Sequence, residues 1–384
     1  MIDYSDHRPT QAIVDLTAIR HNIQLVESQL KDNQQIYATV KANGYGHGAV
    51  PIARAALQAG ATGLAVATVD EGIELRSQGF SQVPILILGL TDPRGIAEIL
   101  HYNLTITVSH LDFFKLAYEQ LEETNQLGLL NLSKLTFHLA LDTGMGRIGL
   151  RSVEEIEAFK AGIKAYPWTN WEGVFTHFST AGGGPEEYIE EQYNKWVELT
   201  EAIPEEVKVR HIANSGMGMW HLNYPTDIVR LGIAMYGIDP KDDLDNPITK
   251  ELRPALQLVS ELIYVKKVEK GSKVSYGATY EASEDEWIGT IPIGYADGWL
   301  RHYKGISLNV DGQACPIVGT INMDQLMIRL PREYPIGTNV TLIGTDYKGT
   351  NHASTIAKEV GTIGYEILTS IGPRVTRVYL DDSY

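Results

Sequence analysis

The sequence predicts a (β/α)8 TIM-type α/β barrel followed by a mainly antiparallel β domain. Three observations lead there. Between Ile36 and Tyr236, short runs of β-formers alternate eight times with stretches of helical periodicity. A polar, twice-proline segment, DPKDDLDNP, follows at once. Beyond it the chain consists mostly of short apolar or alternating runs between Gly, Pro and Asp turns.

The strand candidates, in order, are Ile36–Lys41, Gly63–Val66, Pro84–Leu88, Leu104–Val108, Leu135–Leu141, Glu172–His177, Val207–Ile212 and Ile228–Leu231. Helical stretches lie between them, among them Val69–Ser77, Leu111–Glu123, Val153–Ala165 and Glu186–Ala202, so the strands should be parallel with crossover helices. Eight such units close naturally into a barrel. The DPKDDLDNP segment reads as a linker. After it, LQLVSELIYVKKV, WIGTIPIG, GISLNVDG, ACPIVGTI, QLMIRL and NVTLIGTD read as strands, interrupted by one helix at Ala353–Val360. The expected division is 1–240 for the barrel and 241–384 for the β domain, with the residues before Thr17 able to pack on either.

The chain has 384 residues, more than the roughly 250 of a simple barrel. With 43% apolar and 21% charged residues it has the composition of a globular protein. A net charge of -16 repels phosphate backbones and anionic lipid, which argues against nucleic-acid or membrane partners and for a small-molecule ligand. The single cysteine, Cys315, excludes an intrachain disulfide and leaves no thiol cluster for zinc. No apolar run approaches the roughly 18 residues of a membrane span, and the first residues lack a signal-peptide pattern, so the expected location is the cytoplasm.

Barrel active sites lie where strands end. The first strand runs into Lys41-Ala-Asn-Gly-Tyr-Gly-His-Gly, placing an amine that can form an imine beside a glycine-rich turn. Read alone, Lys41 is as readily a solvated strand-end charge. The seventh strand runs into HIANSG and the eighth into VRLGIAMYG, where barrels often hold a phosphate with hydroxyls and backbone amides.

Taken in order, VKANGYGHG, LDTGMGRIG, GVFTHF, HIANSG, VRLGIAMYG, VSYGATY, IPIGYADGW, INMDQ and GYEILTS resemble the motifs of the alanine racemase family over almost the whole chain. The resemblance implies pyridoxal 5'-phosphate on Lys41, which also moves the α-proton on one face, with Tyr276 as the base on the other. It implies that His177 lies against the cofactor ring and contacts that tyrosine, and that Arg230 donates to the pyridine nitrogen. The phosphate would be held by Tyr45, Asn214, Ser215, the amides of Gly232 and Ile233, and Tyr365. Arg147 and Met323 would lie near the phenolic oxygen and the substrate carboxylate, and Tyr295 would narrow the entrance. No metal is implied. A homodimer follows from the same resemblance, because the family takes Tyr276, Tyr295 and Met323 from the second chain. Without the motifs, His177 reads more readily as a core histidine with a satisfied hydrogen bond, and Arg230 as an ordinary surface or ion-pair residue.

The chain departs from the family at three places. Ala140 stands where many members carry a carbamylated lysine that holds the arginine, so Arg147 needs another orienting group, such as a small anion like chloride. Gly182 stands for an aspartate and Thr320 for an arginine, both in the corridor to the site. Alternatives are a serine or broad-specificity racemase of the same fold, a cofactor carrier, and a metal hydrolase built on His47, His138, His177 and His211. The last lacks any paired ligand spacing.

Overall fold

The computed structural model describes residues 5–241, 249–345 and 350–381. Most of the expected linker, from residue 242 on, lies outside the described residues. The chain forms two compact units: Arg20–Gly44 with Ala49–Met235, and Met1–Ile19 with Tyr45–Gly48 and Tyr236–Tyr384.

The first strand, β1 (Gln11–Asp15), belongs to the second unit. The first unit then supplies β2 (Gln35–Thr39), β3 (Gly63–Val66), β4 (Ile85–Leu90), β5 (Thr105–Val108), β6 (Leu135–Ala140), β7 (Thr169–Phe175), β8 (Val209–His211) and β9 (Ile228–Leu231). All neighbours pair in parallel and in chain order, and β9 returns to pair with β2. A bridge between Ala213 and Val229 and the Asp227 N–H on the Arg210 carbonyl (2.9 Å) join β8 to β9 and close the ring. This is the expected barrel.

Its helices start where the sequence offers caps. Thr68 accepts from the Glu71 amide and Glu71 answers on the Thr68 amide, a capping box for Val69–Ser77. Ser152 caps Val153–Ile163 by accepting from the Glu155 amide. Asp112–Glu123 buries Phe113, Phe114, Ala117 and Leu121, one stripe of its surface, and the Phe114 ring meets Phe137 of β6 edge-on at 5.1 Å. Full burial of such a ring contributes about 2–3 kcal/mol.

Barrel interiors are ordinarily layers of branched aliphatic side chains. Here Tyr37, His138, His211 and Arg230, from four of the strands, are all buried. The β6–β7 ladder shifts register between Phe137, which pairs with Trp171, and His138, which pairs with Gly173, so Glu172 is the extra residue of a β-bulge.

The second unit adds β10 (Leu256–Glu261), β11 (Tyr264–Val268), β12 (Lys273–Val274), β13 (Tyr280–Glu281), β14 (Glu286–Ile291), β15 (Ser307–Val310), β16 (Gln313–Val318), β17 (Leu326–Leu330), β18 (Asn339–Thr345), β19 (Thr350–Asn351) and β20 (Thr376–Leu380). Its large sheet runs β11-β14-β17-β16-β15-β18-β10-β1-β20, with β19 beside β18. Among the described residues its only parallel pair is β1–β20. Of the residues before Thr17, those described, 5–16, pack through β1 on the β unit. The helix at Ala353–Val360 is present, but a second, Gly364–Thr369, follows it within GYEILTS. The expectation of a single helix is corrected here, since six residues are too few to display a helical period.

Candidate active site

Lys41 follows β2 by one residue. Behind it Ala42, Asn43 and Gly44 take left-handed conformations, with φ of 52°, 51° and 60°. Two of these carry a Cβ, and each such residue costs about 1–2 kcal/mol. The turn persists because its backbone is tied. The Ala42 amide donates to Glu71 Oε1 at 2.6 Å, the Gly44 amide to the Val40 carbonyl at 2.8 Å, and the Ala49 amide to Asn43 Oδ1 at 2.9 Å. The other Glu71 oxygen accepts from the Ala67 amide at 2.7 Å. Nothing in the sequence motif pointed to Glu71, because its bond runs to backbone twenty-nine residues away.

Burial, then the charge of Arg147, with Arg230 adding to it, lowers the Lys41 amine from its ordinary range, while Glu71 opposes them. A larger neutral fraction makes the amine a better nucleophile. Arg230, buried in β9, donates through Nη1 to His211 Nδ1 (2.7 Å) and through Nη2 to the Thr176 carbonyl (2.9 Å). Its guanidinium lies over the Phe175 ring at 5.3 Å. Burial and Arg147 push it down to about 9. His177 stands just past β7, with Nδ1 3.5 Å from Arg230 Nη2 and Nε2 3.4 Å from Asn214 Nδ2. Burial, followed by Arg230, Arg147 and Lys41, pushes its pKa down to about 3, so the ring is neutral.

Asn214 caps the short helix Ser215–Trp220 by accepting from the Met217 amide. Ser215 Oγ, buried, accepts from the Gly232 amide at 2.9 Å, and Ile233 opens the turn after β9. Gln192, invisible in the motifs, is buried and fully bonded. It accepts from the Ser179 amide and hydroxyl and donates to Thr143 Oγ1 and the His177 carbonyl, tying the loop of Arg147 to that of His177. Arg147 itself is exposed, and among the described residues no carboxylate is bonded to it; Ala140 is buried at the end of β6, and Gly182 lies on an exposed loop.

In the β unit, Tyr276, Tyr295, Arg301, Thr320, Asn322 and Met323 are among the residues lining a hollow of about 540 Å³. Tyr276 is 74% exposed and Met323 53%, high values for large side chains in a folded sheet domain. The turn bearing Tyr276 is constrained. Ser275 has φ 68°, its hydroxyl donates to the Thr320 carbonyl at 2.6 Å, and Thr320 Oγ1 donates to the Tyr276 carbonyl at 3.2 Å. Thr320 thus holds the Tyr276 turn. The Tyr295 and Met323 loops are locked together by the Tyr295 amide on Asn322 O and the Ala296 amide on Met323 O, both 3.0 Å. Any Cβ at Gly294 would meet Asn322 O at 2.2 Å, so only glycine allows that approach. Buried Asp297, held by Arg8 at 2.8 and 2.9 Å, accepts from the Gly294 amide and anchors the same loop. Tyr45 and Tyr365 also stand together here, ring centroids 6.1 Å apart.

Among the described residues no three His, Cys, Asp or Glu side chains group as a metal site requires. His138 and His211 instead bond one another at 2.8 Å, and His47 belongs to the β unit.

Residues 14–240 match the family described as alanine racemase, N-terminal domain, and residues 255–379 match alanine racemase, C-terminal domain. The chain belongs to the alanine racemase family. The alanine racemase of Ligilactobacillus salivarius is 47% identical over 97% of this chain and 98% of its own length. The crystal structure of the alanine racemase from E. faecalis superposes with a TM-score of 0.91 at 42% identity, covering 98% of this chain and 100% of that one. A histidine racemase from Leuconostoc mesenteroides shares the alanine racemase fold as well, with a TM-score of 0.87 at 34% identity over 98% of this chain and 100% of that one.

Proposed function

We propose that this chain interconverts L- and D-alanine, with pyridoxal phosphate held on Lys41 and a second copy of the chain completing each site. One observation carries the reading: the desolvated Lys41 amine lies within the electrostatic reach of Arg147, Arg230 and a neutral His177. Beyond burial, Arg147 and Arg230 both lower Lys41 and Arg147 lowers Arg230, while Glu71 acts on Lys41 in the opposite sense. Such an excess of positive charge, inside a chain of net charge -16, suits a ligand bearing phosphate and phenolate. The Ser215 hydroxyl and the turn opening at Ile233 are the donors a phosphate uses. The residues therefore fit the group.

When bound, pyridoxal phosphate supplies the electron sink that acidifies the α-hydrogen of the attached amino acid. Lys41 takes or returns that proton on one face, and Tyr276 of the second chain does so on the other, since inversion needs removal from one side and delivery to the opposite one. Arg230 has only N–H groups, so it can bond the ring nitrogen without readily protonating it, which restrains transamination. His177, kept neutral, retains a lone pair with which to orient the phenol of Tyr276. Arg147 and Met323 hold the substrate carboxylate, and Tyr295 narrows the approach. Tyr45, Asn214, Ser215, Gly232, Ile233 and Tyr365 cradle the phosphate.

The exposure of Tyr276, Tyr295 and Met323 around one hollow supports a partner chain seated on that face. Residues 1–240 then serve mainly to bind the cofactor, and 241–384 to supply the second base. A cytoplasmic supply of D-alanine for peptidoglycan belongs to the same proposal. The histidine racemase of this fold makes breadth a real alternative, with serine and larger amino acids as rival substrates.

The test is racemisation of L-alanine, followed by optical rotation while the cofactor absorbance is recorded. Turnover, with absorbance abolished by borohydride and a reduced adduct on Lys41 by mass, is the expected result. Absorbance on Lys41 without alanine turnover would refute the substrate assignment.

A further inference from the structure

One file of side chains crosses the barrel interior. Arg230 Nη1 lies 2.7 Å from His211 Nδ1, His211 Nε2 lies 2.8 Å from His138 Nδ1, and His138 Nε2 lies 3.0 Å from Glu172 Oε2. The direction of every bond is forced. A guanidinium has only N–H groups, so His211 Nδ1 must accept. A neutral His211 then carries its proton on Nε2 and donates to His138 Nδ1, leaving the His138 proton on Nε2 to donate to the Glu172 carboxylate. Any other arrangement sets two protons or two lone pairs face to face. His211 stays neutral because burial, then Arg230 and His138, hold it well below its ordinary value.

The local structure is shaped to this file. The bulge at Glu172 re-aims that carboxylate out of the strand alternation. Gly173 leaves room for the His138 ring, whose carbons lie 3.0 Å from where a Cβ would stand. Phe175 stacks on His211 at 5.0 Å and 14° and also carries the Arg230 guanidinium. Arg230, His211 and His138 are buried, whereas the Glu172 side chain is 43% exposed. Tyr37 cannot compete as a second anion, since burial and the Glu172 charge raise its phenol to about 12.

Arg230 is thus a buried cation with no carboxylate bonded to it among the described residues. A carboxylate placed directly on it would occupy its N–H fork. Relay through two imidazoles supplies the charge through the single Nη1 bond to His211 Nδ1, with no carboxylate laid across the guanidinium. We propose that Glu172 is a positioning residue for racemisation: through His138 and His211 it acts as the remote counter-charge of Arg230 and fixes the proton arrangement that orients the guanidinium. The functional half of this rests on the reading that Arg230 faces the cofactor ring.

The test uses 15N-histidine-labelled holoenzyme at neutral pH as wild type, Glu172→Gln and Glu172→Leu. In wild type both His138 and His211 should be neutral with the proton on Nε2. Glu172→Gln keeps an acceptor, so both tautomers should persist, while kcat for alanine falls about threefold with KM little changed, about 0.65 kcal/mol. Glu172→Leu removes the acceptor, so His138 should lose its single tautomer and kcat should fall about tenfold, about 1.4 kcal/mol, again with little effect on KM. An imidazolium or an Nδ1–H form at either ring in wild type overturns the file. Correct tautomers with unchanged kcat in both variants overturn the positioning role. Because tautomers are read without turnover, a mistaken substrate assignment leaves that arm intact.

Discussion

Unfolding this protein at mildly acidic pH should consume protons, and two histidines account for a defined share. His177 and His211 are neutral in the folded chain, His177 with its pKa pushed down to about 3 and His211 also held well below its ordinary value, in both cases chiefly by burial. Once unfolded, a histidine returns to a pKa of about 6.5, so at pH 5.5 it is about nine-tenths protonated. His177 therefore takes up about 0.9 proton on unfolding at that pH, and His211 adds uptake in the same direction. Because the folded value is depressed, the stability these rings permit is complete above about pH 6.5. It is lost as pH falls toward the folded value, with a slope near 1.2 kcal/mol per pH unit for His177 at pH 5.5, or about 2 kcal/mol between pH 7 and pH 5. Potentiometric measurement of proton uptake during guanidinium unfolding at pH 5.5 reads this directly. His177→Gln should take up about 0.9 fewer protons than wild type, and His211→Gln should also take up fewer. Uptake unchanged by either substitution would mean that ring is already charged in the folded protein, and the neutral-imidazole argument would fail for it.

Glu71→Ala removes the acceptor that ties Ala42 and Ala67, so the left-handed turn behind Lys41 should loosen; faster hydrogen exchange at the Ala42 amide is expected, and protection equal to wild type would remove Glu71 from that role. Gly173→Ala places a Cβ 3.0 Å from the His138 ring and should destabilise the protein by about 1–3 kcal/mol, read as a fall in the thermal midpoint that an unaltered melt would contradict. If a small anion orients Arg147 in place of a carbamate, replacing chloride by gluconate at constant ionic strength should raise KM for L-alanine about threefold. An unchanged KM would sink the anion.

Much of the barrel was legible because buried parallel strands read as unbroken β-former runs and their helices carry clear stripes; Gly63–Val66, Ile228–Leu231 and Val69–Ser77 begin and end where the residues place them. The β unit was legible as strands but not as pairings, since Ala12 of β1 pairs with Arg377, 365 residues away, and no local pattern encodes that. Gly364–Thr369 was hidden by its brevity. At the site, residues set in recognisable motifs could be named in advance. Glu71, Gln192 and Glu172 could not, because each acts by a bond to a segment far along the chain, and the bulge that turns Glu172 inward appears only once β6 and β7 pair. His138 and His211 looked like metal ligands for the same reason: their mutual bond is a product of the closed barrel.

The most direct test of the two-chain, two-base account is complementation between two inactive variants, Lys41→Ala and Tyr276→Ala. Mixed and allowed to exchange subunits, they should give dimers of which about half pair the two variants, each with one site holding both Lys41 and Tyr276, so about a quarter of wild-type alanine racemisation should return. A mixture as inactive as its components would show that both groups act within one chain, and the shared site would have to be abandoned.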